Sequence, residues 1–194
     1  MSRPQRFALP TVPRGVSTTV PREAPPAEPV FIGLGANLGQ RAEHLRAALA
    51  AMDALPGTRV QRVSPLYASA PVDAAGPDYL NAVAELGTAL APEALLAALQ
   101  SIEQAAGRQR PYHHAPRPLD LDILWFGDRV IATPGLAVPH PRMAGRAFVL
   151  RPLADLVPQR IAPAALQAVA GQAIARVQGP DWAAGSFSIE PSKI

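Results

Sequence analysis

Cysteine is absent from the chain, which excludes disulfides, thiolate metal sites and a cysteine nucleophile. Lysine is almost absent as well: the single copy, Lys193, is the penultimate residue, and no Gly-Lys-Ser/Thr occurs. A Walker A phosphate loop is therefore excluded. No apolar run approaches the ~18 residues of a membrane-crossing helix. The opening stretch MSRPQRFALPTVPRG lacks the continuous apolar segment of a secretory signal. The expected location is the cytoplasm, with no membrane partner. The formal net charge is only +3, too small a surplus to argue for general nucleic-acid binding, although a local cationic pocket is compatible with it.

Of the 194 residues, 48% are apolar, enough for one domain with a sizeable core. The 23 prolines require much turn or extended chain. Residues 1–29 carry seven of them with no hydrophobic period, and are expected to form a disordered extension. A domain over 30–158 follows. Residues 159–194 are expected to be a C-terminal extension packing on or trailing from it, with helix-compatible alanines but no motif.

Within the domain, FIGLG is an apolar run closed by glycines and suits a buried strand. Leu38, Ala42, Leu45, Leu49 and Met52 then recur at helical spacing. Asn37 is placed to cap that helix and Pro56–Gly57 to end it. TRVQRVSPLY and LNAVAELGT read as strands around the loop ASAPVDAAGPDY. A second helix is expected from Pro92, striped by Leu95, Leu99, Ile102 and Ala106 and stopped at Gly107. LDLDILWFGDRVI reads as a strand, a Gly-Asp turn and a short returning strand. The order is βαββαβ, that of a ferredoxin-like α+β sandwich with a mainly antiparallel sheet and helices on one face.

The chemistry concentrates in GRQRPYHHAPRPLDLDIL. On a strand, Asp120 and Asp122 share a face, with Cα atoms roughly 6.6 Å apart, while Leu119, Leu121 and Ile123 point into the core. Two such carboxylates suit Mg²⁺ completed by substrate phosphates. Arg108, Arg110 and Arg117, with His113 and His114, form a cationic loop immediately before them. Guanidinium forks clamp polyphosphates well. A carboxylate pair beside cations points to phosphate–metal chemistry. GLGANLG fails the spacing of a dinucleotide-binding loop.

FIGLGANLG, PDYLNAV, IEQAAGRQR, HHAPRPLDLDILWFG and VPHPRMAGRAFVLRPL together resemble the 6-hydroxymethyl-7,8-dihydropterin pyrophosphokinase family over about residues 30–158. The resemblance implies the ferredoxin-like fold and transfer of diphosphate from ATP to the pterin hydroxymethyl group in tetrahydrofolate biosynthesis. By resemblance Asp120 and Asp122 hold two Mg²⁺ ions, with Asp120 also at the pterin. Arg108 and Arg110 belong to a closing catalytic loop, Arg117 opens the metal motif, and all three contact ATP. Gln100, Glu103, Ile123, His140 and Arg146 join the nucleotide contacts. Tyr79 and Phe148 sandwich the pterin, Asn81 pairs with its edge, and Ser69, Ala70, Pro71 and Val72 form a backbone wall. Family members often carry a tryptophan and a further arginine where this chain has His114 and His113, on a loop one residue longer. The expected state is a monomer acting on small molecules. An RNA-recognition module would need aromatic side chains that FIGLG and LNAVAELG hardly offer. Another metal-dependent phosphate enzyme would use the aspartates without needing Tyr79, Asn81 and Phe148.

Overall fold

The structure is a computed structural model that describes residues 28–71, 77–107 and 118–184. The expected disordered stretch up to residue 27 and the cationic loop 108–117 lie outside the described residues. Strand β1 (Glu28–Ala36) takes in Glu28 and Pro29, the last two residues of that expected extension. Its side chains alternate between two cores. Val30, Ile32, Leu34 and Ala36 belong to one, and Phe31 belongs to the other.

Helix α1 (Arg41–Asp53) buries Leu45, Ala48, Leu49 and Met52. It begins three residues later than the apolar spacing predicts. Gly39, at φ 61°, turns the chain through the left-handed region between strand and helix. Leu38 is consequently left 37% exposed, and Asn37 is buried rather than acting as a cap.

The single strand expected over 58–67 is two, β2 (Thr58–Val63) and β3 (Leu66–Ser69). Pro65 has no N–H for a ladder, and Ser64 bridges the gap. Its N–H donates to the Val83 carbonyl at 2.9 Å, and its Oγ accepts the Val83 N–H at 2.9 Å. Both pieces therefore stay on one edge of β4 (Tyr79–Thr88). Helix α2 (Pro92–Ala105) starts on Pro92 and buries Leu95 and Leu99. Gly107, at φ 84°, follows its end.

Strand β5 (Asp120–Phe126) pairs with the other edge of β1. The sheet order is β5-β1-β4-β3, with β2 beside β3 on β4, and these pairings are antiparallel. With α1 and α2 packed on one face, the βαββαβ ferredoxin-like arrangement is present. A register shift opposite Phe31/Ile32 lets Leu124 join the second core and still returns Phe126 to the first. The short strand expected to return onto β5 pairs elsewhere: β6 (Ile131–Ala132) meets β7 (Ala137–Val138). The Leu124 carbonyl instead accepts the His140 N–H at 2.9 Å.

The second face carries α3 (Ala147–Leu156), whose Val149, Leu150, Leu153 and Leu156 pack with Phe31, Val83 and Leu124. Residues 159–184 pack on the same sheet and core. After α4 (Pro163–Ala168), strand β8 (Ile174–Gln178) adds to the free edge of β3. Trp182 then reaches the first core, its Nε1 donating to the Ser64 carbonyl at 2.9 Å and its own carbonyl accepting from Arg46 Nε at 2.8 Å. Among the described residues no helix is long and apolar enough to cross a membrane.

Candidate functional site

The second face is only partly covered. Helix α3 lies over Phe31 and Val83, and beyond them the strands face a cavity of about 500 Å³. The register explains its floor. Gly33 stands opposite Asp122 and Gly35 opposite Asp120 on one side, and Gly35 stands opposite Asn81 on the other. Asn81 in turn pairs with Tyr67, and Tyr79 with Ser69. Residues two apart share a face, so carboxylates, bare glycine backbone, an amide and a hydroxyl form successive rows. Three strand spacings separate the first row from the last, about 14 Å. A Cβ on Gly35 would stand 3.5 Å from Asn81 Oδ1 and 3.9 Å from both Asp120 Cβ and Tyr79 Cδ1. The glycines keep that floor flat.

Polar groups on the floor are oriented. Asn81 Nδ2 donates to Ser69 Oγ at 2.9 Å in a buried pair, which turns Oδ1, an acceptor, toward Gly35. Opposite the floor, Phe148 lines the cavity from the first turn of α3. The Arg146 guanidinium lies over the Phe148 ring, 5.4 Å from its centroid, a cation–π distance.

At the acidic end, Asp120 and Asp122 both line the cavity, and the Asp122 side chain is 41% exposed. His140 Nε2 lies 3.9 Å from Asp122 Oδ2, beyond hydrogen-bond reach. Burial holds the His140 imidazole below its ordinary value; Asp122 opposes that shift, and Arg146 and Arg142 add to it. The imidazole Nδ1 accepts the Arg142 backbone N–H at 3.2 Å. Among the described residues, no three His, Asp or Glu gather into an all-protein cage. Two carboxylates lining one cavity fit a hard cation such as Mg²⁺, which completes its shell with phosphate and water oxygens.

The cavity thus brings together Ser69, Ala70, Tyr79, Asn81, Asp120 and Asp122, joined by Arg146 and Phe148. Other expected site residues lie elsewhere. Gln100 is exposed on α2 and lines no part of the cavity. Glu103 is buried, and its Oε1 accepts the Leu121 N–H at 2.8 Å, between the two aspartates. It supports β5 rather than facing the cavity. Ile123 points into the first core and is 3% exposed; the alternation that aims Asp122 outward turns it inward. Pro71 is not in the wall. Arg108, Arg110, Arg117 and Val72, like His113 and His114, lie outside the described residues.

Sequence reasoning missed Gly33 and Gly35, taken as closing the strand when they lie within it. Two glycines at alternate positions, hence on one face, were the available signal. Arg142, Leu124 and Val149 also line the cavity and carry no comparable mark.

A family model described as 7,8-dihydro-6-hydroxymethylpterin-pyrophosphokinase (HPPK) matches residues 31–158. A 2-amino-4-hydroxy-6-hydroxymethyldihydropteridine pyrophosphokinase of Pseudomonas aeruginosa is 52% identical over 130 residues, 66% of this chain and 80% of that protein. Its namesake in Synechocystis sp. is 40% identical over 132 residues, 68% of each. Among solved structures, Plasmodium falciparum HPPK-DHPS matches with a TM-score of 0.56 at 15% identity, over 69% of this chain and 40% of that longer one. That likeness is one of fold.

Proposed function

The chain belongs to the 7,8-dihydro-6-hydroxymethylpterin-pyrophosphokinase family, pyrophosphokinases of folate synthesis, and on that premise we propose how its cavity works. The reaction is diphosphate transfer from ATP to the hydroxymethyl group of 6-hydroxymethyl-7,8-dihydropterin. The hydroxymethyl oxygen bonds to the β-phosphorus, the bond from that phosphorus to the oxygen bridging to the α-phosphate breaks, AMP leaves, and the hydroxyl proton passes to water. The product is the pterin diphosphate.

The observation that carries this reading is the flat glycine floor joining a carboxylate pair to an amide–hydroxyl pair within one cavity. A planar heterocycle lies between Tyr79 and Phe148 by stacking. Its amino and ring N–H groups meet the acceptor of Asn81, whose orientation Ser69 fixes. The hydroxymethyl group then points along the floor toward Asp120 and Asp122. Mg²⁺ held there supplies charge neutralisation for the phosphates. Arg146 and His140 flank the phosphates on the acidic side. Arg108, Arg110 and Arg117 supply guanidinium forks for the ATP phosphates. No covalent intermediate is needed, because positioning and electrostatics suffice for this transfer. The enzyme works as a cytoplasmic monomer on small molecules.

The test is product analysis with ATP, Mg²⁺ and 6-hydroxymethyl-7,8-dihydropterin. AMP with pterin diphosphate, absent when the pterin is omitted, is the expected result. ADP with inorganic phosphate would overturn it.

A further inference from the structure

Arg146 occupies the N-cap position of α3, at φ −124° and ψ 112°, and no side chain of that residue caps the helix. Caps are normally Ser, Thr, Asp or Asn, which supply an acceptor to the first helical N–H groups. A guanidinium has only donors, so arginine at this position conflicts with local helix chemistry. The acceptor comes from another part of the chain. Gln172, just before β8, accepts the Ala147 N–H on Oε1 at 2.8 Å. The same amide donates from Nε2 to the Gly145 carbonyl at 2.8 Å.

One planar side-chain amide thus grips the backbone on both sides of Arg146. Fixing the carbonyl of residue 145 and the N–H of residue 147 restrains the two peptide planes that flank Cα of residue 146, and with them the direction of its side chain. Arg146 and Phe148 line the cavity, whereas Gln172 does not. Gln172 also lies beyond the stretch 31–158 that the family model matches.

We propose that Gln172 is a positioning residue: by bridging Gly145 and Ala147 it aims Arg146 at the phosphates of the nucleotide. Position 146 serves phosphate binding, and the capping duty it gives up is met by the C-terminal extension. The inference rests on the reading of the cavity as a diphosphate-transfer site.

The test is a double-mutant cycle on the full chain. Dissociation constants for ATP with Mg²⁺, without pterin, are measured for wild type, Gln172→Met, Arg146→Ala and the double variant, alongside pterin affinity and melting temperature. Methionine keeps the size of the side chain and removes both hydrogen bonds. Gln172→Met is expected to weaken ATP binding about tenfold, the scale of a small misplacement of a binding group. Pterin affinity should stay within about twofold of wild type, and little further loss of ATP binding should follow in the Arg146→Ala background. Gln172→Glu, which can still accept from Ala147 but cannot donate to Gly145, should recover only part of the ATP affinity. An equally large Gln172→Met effect without Arg146, or equal losses for ATP and pterin, would overturn the proposal. The functional reading is judged separately, by whether the wild type makes AMP and pterin diphosphate.

Discussion

The two faces of the sheet come from the same strands by strict alternation, yet one is closed and the other is half open. On the face covered by α1 and α2, β1 presents Val30, Ile32, Leu34 and Ala36, each at most 3% exposed. On the opposite face the same strand presents Phe31, then Gly33 and Gly35. Helix α3 covers the first of these and leaves the glycines as cavity floor. The site is therefore a stretch of uncovered sheet rather than a hollow inside the core. Charge and polarity can change there without loss of packing, and packing can change on the closed face without touching the chemistry.

The comparison is tested most sharply by Asp122→Ala. Activity should fall by about three orders of magnitude, the upper scale for loss of one group that stabilises developing charge. The circular dichroism spectrum should be unchanged, because the side chain is substantially exposed. Loss of folded structure would instead make the carboxylate pair structural. Trp182→Ala is the converse. Removing this 4%-exposed side chain should destabilise the fold by about 3–5 kcal/mol, read from urea unfolding, with ATP and pterin affinities of the folded protein preserved. A cost below about 1 kcal/mol would detach the C-terminal segment from the closed face.

Gly35→Ala probes the open floor. Its new methyl meets Asn81 Oδ1 at an ordinary 3.5 Å, so the melting temperature should hold. Pterin, however, must ride over the methyl, weakening binding by about 1–2 kcal/mol, roughly tenfold by calorimetry. Unchanged pterin affinity would move the heterocycle off this floor. The last effect, on stability alone, is at the fastening of α3 to the sheet, where Tyr67 donates to Asp155 Oδ2 at 2.6 Å. Burial first, then the hydrogen bond and charge of Asp155, push the phenol up to about 12 from 10.0. The folded state thus holds this proton more tightly than the unfolded one. The contribution is complete below pH 10 and is lost as pH rises through about 12. Tyr67→Phe should cost about 1–2 kcal/mol at neutral pH and flatten that alkaline decline. An identical decline in the variant would assign it to other groups.

What could be read from the sequence follows the same division. The period-two run around Asp120 and Asp122 encoded both faces at once, and the apolar stripes of α1 and α2 encoded the closed one. Pro65 hid within an alternating pattern because the bridging by Ser64 depends on Val83, a partner 19 residues away. Gln172 and Trp182 were illegible for a related reason: their partners lie 25 and 118 residues away, and neither residue falls in a periodic run. Nothing local to Arg146 reveals that a helix begins there. Helix capping by a remote amide leaves no mark in the neighbouring residues.

Strand β8 has a consequence for the solution behaviour of shortened chains. It occupies the side of β3 that β4 does not. A protein ending at residue 158, the limit of the family match, would present β3 as a bare edge with unsatisfied N–H and C=O groups, a template for strand addition by a second molecule. It would also uncover the apolar surface where Trp182 now sits. Aggregation, rather than impaired catalysis, is what trimming the chain to its family boundary should produce first.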